Sequence, residues 1–116
     1  MDVESWPSEW LRGVLGPAVL SVLSEGEAYG YLIAQRLEQG GLGRVKGGTL
    51  YPLLARYEAA GFLVASWQEG DGGPGRKFFT ITSEGTKELR RLRERWATFS
   101  RHVGAIINPP EERDDS

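Results

Sequence analysis

Two short clusters in this 116-residue chain carry the side chains best suited to recognition chemistry. The first is Gly47-Gly48-Thr49-Leu50-Tyr51, preceded closely by the cations Arg44 and Lys46. The second is Arg76-Lys77, which follows the glycine-rich run Glu69 to Gly75. Neither cluster pairs a nucleophile with a base. Both offer hydrogen-bond donors and positive charge, a chemistry that suits phosphate. A helix start presents unpaired N–H groups and a partial positive charge. Glycines there let another backbone approach closely, and the Thr49 hydroxyl adds a further polar group. Tyr51 and Arg56 fall on the outward face or edge of such a helix.

The remaining inventory argues against catalysis. His102 is the single histidine, and there is no cysteine, so disulfides and thiolate metal sites are excluded. No cluster of histidines and carboxylates has metal-ligand spacing, and neither a phosphate-binding Gly-rich loop nor a Gly-x-Ser-x-Gly motif is present. No enzyme activity, metal or cofactor is expected. There is no run of about 18 apolar residues to span a membrane. The acidic start Met1-Asp2-Val3-Glu4-Ser5 is not a secretory signal, so the expected compartment is the cytoplasm.

Net charge is −2, which does not by itself favour a nucleic-acid partner. Its distribution does permit one. Asp2, Glu4, Glu9, Glu25 and Glu27 face only Arg12 in the first 27 residues, whereas Arg44 to Lys77 holds five basic residues and three acidic. Exposed charges beyond a Debye length are largely screened, so a locally basic face can act on its own.

Periodicity supplies the elements that position these clusters. Trp10, Leu11, Val14, Leu15, Ala18, Val19, Val22 and Leu23 recur every three or four residues, as on a helix with one buried face. Gly16-Pro17 interrupts them, so the regular helix either starts near Pro17 or kinks there. A second helix is expected from Ala28 to Gln39, stopped by Gly40-Gly41. A third follows with Thr49 as its N-cap, Pro52 in its first turn and Gly61 beyond its end. Phe62–Gln68 and Lys77–Thr82 are β-prone runs around the glycine-rich loop, hence a hairpin. Thr82 or Ser83 then caps a helix that runs to Ile107.

That last helix is patterned differently. Leu89, Leu92, Trp96, Phe99, Val103 and Ile106 are spaced 3, 4, 3, 4, 3, a heptad seam of the kind that joins two helices. Left alone, its large apolar groups would form an exposed patch, so the seam predicts a homodimer. The expected organisation is a winged helix-turn-helix domain over 1–82, a dimerisation helix over 83–107 and a disordered acidic tail over 108–116. The fold class is mainly α with a small β-hairpin.

At Tyr29-Gly30-Tyr31, Gly48-Thr49-Leu50-Tyr51-Pro52-Leu53-Leu54 and Gly75-Arg76-Lys77-Phe78-Phe79-Thr80-Ile81-Thr82, the chain resembles the PadR family of bacterial transcriptional regulators. The resemblance covers about Arg12 to Ile107 and looks like the short subfamily with one C-terminal helix. It implies a repressor that binds an inverted-repeat operator in double-stranded DNA as a homodimer. With the clusters above, it nominates Tyr29, Arg44, Lys46, Gly48, Thr49, Leu50, Tyr51, Arg56, Arg76 and Lys77 for DNA. It also implies a planar aromatic effector held between tryptophans of the last helix, for which Trp96 is the candidate. Trp6 and Trp10 are further aromatics expected to clasp the other subunit. The competing expectation is a winged-helix module that binds protein instead of DNA, which the negative net charge suits better.

Overall fold

A computed structural model of the chain describes residues 6–70 and 72–111. The acidic start over 1–5 and the end of the expected tail, 112–116, lie outside the described residues. Helix α1 spans Ser8–Ser24, strand β1 Ala28–Tyr29, helix α2 Gly30–Leu37 and helix α3 Gly47–Ala59. Strands β2, Leu63–Gln68, and β3, Arg76–Ile81, lead into helix α4, Ser83–Ile107. This is the expected winged helix-turn-helix with a long final helix.

Helix α1 neither starts nor stops at Pro17; the proline lies inside it. An interior proline removes a backbone bond and costs about 3 kcal/mol or more. Two effects offset this. Gly16 carries no Cβ to clash with the proline ring, which eases the helical conformation before a proline. Leu15, Val19, Leu20 and Leu23 are buried on the same helix, each stabilising by roughly 1.5–3 kcal/mol.

The second helix begins two residues later than its periodicity suggests, because Ala28 and Tyr29 are extended and pair with Phe79 and Phe78. The wing is therefore part of a three-stranded antiparallel sheet in the order β1-β3-β2. After α2 the chain makes a wider helical turn over Glu38–Leu42, ended by Gly41 at φ 101°. The third helix begins three residues earlier than expected. Lys46 is its N-cap, and its carbonyl accepts from the N–H groups of Thr49 and Leu50, both at 3.0 Å. Thr49 thus lies in the first turn, and Pro52 falls beyond it. Val45, buried in the core, anchors this earlier start.

The register of the hairpin runs from Leu63↔Ile81 to Gln68↔Arg76. At the entry to α4, the Thr82 side chain accepts from the Gly85 N–H at 3.0 Å and donates to the Gly61 carbonyl at 2.7 Å. Thr82, not Ser83, is the cap. Gly85 packs directly on the Phe62 backbone, where a Cβ would have no room. The core joins α1, α2, α3 and the sheet, and α4 contributes Gly85 and Leu89 to it before running outward. With 25 residues, α4 is about 37 Å long. Its protrusion makes the molecule 72 Å in its longest dimension.

Candidate nucleic-acid interface

The start of α3 is exposed at Gly47, Gly48 and Thr49. The Thr49 N–H bonds the Lys46 carbonyl, but the Gly47 and Gly48 amides have no side-chain cap and no partner within the helix, so these two are free to donate outward. Tyr51 stands beside them with 54% of its surface exposed, yet its ring is positioned. It lies across Gly30, where a Cβ would meet the ring edge at 2.6 Å. A glycine at the start of α2 is thus what lets the Tyr51 ring lie flat against that helix.

The wing brings a second group to the same side. The Arg76 guanidinium carbon sits 4.7 Å above the centre of the Tyr29 ring, and Arg76 Nη1 donates to the Tyr29 hydroxyl at 3.4 Å. Tyr29 is held edge-on to Phe78 at 5.2 Å. Tyr29, Tyr51, Arg76 and Lys77 line one recess of about 440 Å³ between α3 and the wing. Arg44, Lys46 and Thr49 line a separate recess at the α3 start. Arg56 is exposed further along α3.

Two of the expected interface residues are placed otherwise. Leu50 is buried in the core, so its side chain is not available to a ligand. Only its neighbours Thr49 and Tyr51 point outward. Lys77 is half-buried, with its Nζ 3.1 Å from Glu58 Oε1 and 5.4 Å from the centre of the Phe79 ring. Its charge is already matched by a carboxylate. Sequence reasoning also missed Trp67, which is 72% exposed on β2 and lines the recess with Tyr29 and Tyr51. Alternation along β2 puts Trp67 on the same face as Leu63, but the core ends before reaching it. A large apolar side chain beside a glycine-rich loop was the available signal.

Tyr57, at the back of α3, has its phenol pKa raised by burial first, then by the Glu88 carboxylate, with Arg56 opposing. It remains a neutral phenol packed against Gly16 of α1 and Phe62.

The seam of α4 divides in two. Leu89 is buried in the domain's own core and Leu92 packs against it. This corrects the expectation that Leu89 faces a partner: helix α4 lies across α1 here, with Arg93 donating to Ser21 at 3.1 Å. Beyond it, Trp96, Phe99 and Ile106 are 46%, 61% and 80% exposed, and Val103 is partly so. Trp96 and Phe99 hold their rings 6.1 Å apart and line a recess of about 580 Å³ between α4 and Gly13 and Pro17 of α1. Trp6 donates its indole N–H to the Gly41 carbonyl of its own chain at 2.7 Å, while Trp10 stacks on it and stays 60% exposed.

The model of the transcriptional regulator PadR-like family matches residues 19–91, from the middle of α1 into α4. The chain belongs to this family. A transcriptional regulator of Mycobacterium tuberculosis is 33% identical over 95 residues, which is 82% of this chain and 87% of that protein. The crystal structure of a PadR family regulator from Eggerthella lenta is 35% identical, with a TM-score of 0.77 and 89% of each chain covered. Bacillus subtilis PadR, solved in complex with operator DNA, is 28% identical with a TM-score of 0.62, over 68% of this chain and 46% of that one. The family match takes in β1, the α3 start and the wing, the elements that build the recess described above. No helix among the described residues is long and apolar enough to cross a membrane.

Proposed function

We propose that this protein is a cytoplasmic repressor that binds an inverted-repeat operator in double-stranded DNA as a homodimer. The observation that carries the reading is the shared recess of α3 and the wing. There the exposed Tyr51 and Arg76 meet the half-buried Tyr29, beside the free Gly47 and Gly48 amides of the α3 start. In this reading α3 enters the major groove and the wing lies along the neighbouring backbone, with two-fold symmetry setting the two α3 helices about 34 Å apart. The operator DNA bound by the Bacillus subtilis relative supports the choice of partner. Repression follows from steric occupation of the promoter.

The distal seam, Trp96, Phe99, Val103 and Ile106, joins the two chains, with Leu92 at its inner edge. Such exposed apolar groups on one helix are the ordinary mark of an interface. The recess beside Trp96 and Phe99 then opens toward the dimer centre and accepts a planar aromatic effector, whose binding would release the DNA. Support for that ligand is the pairing of two partly exposed rings with apolar Leu92 and Pro17 around them.

A gel shift with the DNA immediately upstream of the protein's own gene, at two salt concentrations, tests the reading. A salt-sensitive shift that resists unrelated competitor DNA is expected. Folded, dimeric protein that gives no shift at low salt would point instead to a winged-helix module that binds protein.

A further inference from the structure

Arg12 lies on α1, far in sequence from the recognition segments, and nothing in the reading above uses it. The structure brings it to them. A recess of about 330 Å³ is walled on one side by the first turns of α1, with Trp6 and Arg12, and on the other by Arg44, Lys46 and Thr49. Leu15 and Val45 from the core form part of its floor. No carboxylate lines it, and none of the three cations enters an ion pair among the described residues. In a chain of net charge −2, three cations around one concavity, unpaired among the described residues, focus a positive potential there.

We propose that Arg12 is a third phosphate-binding cation at the α3 start, acting with Arg44 and Lys46 on the DNA backbone, and that Trp6 positions it. The inference rests on the DNA-binding reading and extends it to the N-terminal helix. DNA is favoured over a free anion because the recess includes Thr49 in the first turn of the recognition helix, so a ligand there touches the same backbone that α3 approaches. Trp6 fixes the geometry through its indole N–H bond to Gly41, which ties the start of α1 to the connection carrying Arg44 and Lys46.

The test is the salt dependence of duplex binding, by fluorescence anisotropy, for the full chain and for Arg12→Gln, Trp6→Phe and the double variant. Circular dichroism and light scattering check fold and dimer. Arg12→Gln is expected to lower the log–log salt slope by about 0.9 per subunit, hence about 1.8 for the dimer, equally on operator and unrelated duplexes. Trp6→Phe keeps a ring but loses the donor, so it should give part of that loss and add nothing to Arg12→Gln. A wild-type slope in folded, dimeric Arg12→Gln overturns the inference and leaves DNA binding standing. Absence of any salt-dependent binding by the unaltered protein removes both. A second arm titrates inorganic phosphate and follows thermal stability without DNA. Phosphate stabilisation lost in Arg12→Gln, with an unchanged DNA slope, would make this a free-anion site and contradict the proposal.

Discussion

The α3–wing face and the distal half of α4 are both exposed, both aromatic and both without a partner in the single chain, yet they are built for opposite physics. On the first, rings hold cations: Arg76 lies over Tyr29, and Tyr51 is fixed beside free amides. On the second, rings meet apolar neighbours, with Trp96 against Phe99 and Ile106 beyond. A surface of the first kind binds a polyanion and weakens as salt rises. A surface of the second kind loses water on contact and is nearly indifferent to salt. In the proposed function, the contrast separates the part of the molecule assigned to DNA from the part assigned to pairing chains.

Breaking the apolar face should have the largest effect. Trp96→Glu would put an unpaired charge into the seam, a change that costs about 3–5 kcal/mol when the charge is buried. The dimer should dissociate by light scattering, with operator binding lost as a consequence. An intact dimer would show that the seam serves only its own chain.

Next comes the polar face. Arg76→Ala and Lys46→Ala should each weaken binding to all sequences and reduce the salt slope by about 0.9 per subunit, hence about 1.8 for the dimer, without altering the dimer itself. Gly30→Ala probes the same face through packing. The new methyl group meets the far end of the exposed Tyr51 ring and pushes it aside, so weaker DNA binding is expected with little change in stability. Thermal melting and anisotropy on the same variant check both.

Lys77 sharpens the comparison within the wing. Because Glu58 holds it, Lys77→Ala should reduce the salt slope by less than Arg76→Ala does. Glu58→Gln should free the lysine and strengthen binding to unrelated duplexes. Equal slopes for the two wing variants would mean that DNA displaces the ion pair.

The smallest effect lies away from both faces. Arg91 hydrogen-bonds Glu88 at 2.7 Å and holds its carboxyl below the ordinary glutamate range. A depressed carboxylate pKa contributes stability that is present above the unfolded value and lost as pH falls through the folded one. Glu88→Gln should therefore lower stability slightly near neutral pH and flatten the loss of stability on acidification through the carboxylate range. A mutant melting curve parallel to the parent's across that range would remove the pair from the account.

What could be read from the sequence follows the range of the forces involved. The full extent of α4 was legible, since heptad spacing and a threonine cap are local signals that needed no partner. The start of α3 was not, because burial of Val45 moved the cap to Lys46, and neither fact is visible in a window of a few residues. Strand β1 was missed for the same reason: two residues are extended only because the far edge of β3 is there to receive them. The motif around Thr49 found the right segment but nominated Leu50 for DNA, although its side chain is core. Lys77 looked free because its carboxylate partner lies 19 residues away. Arg12 and Trp67 join the recesses only through tertiary packing, which spacing does not report.

The most direct test of the central claim is the slope of log K against log salt for the unaltered dimer on a duplex from upstream of its own gene. Several phosphate contacts from two α3–wing faces predict a steep negative slope, on the order of −4 or beyond at about 0.9 per phosphate. A slope near zero, or no binding by folded dimer at low salt, would contradict the assignment of that face to DNA.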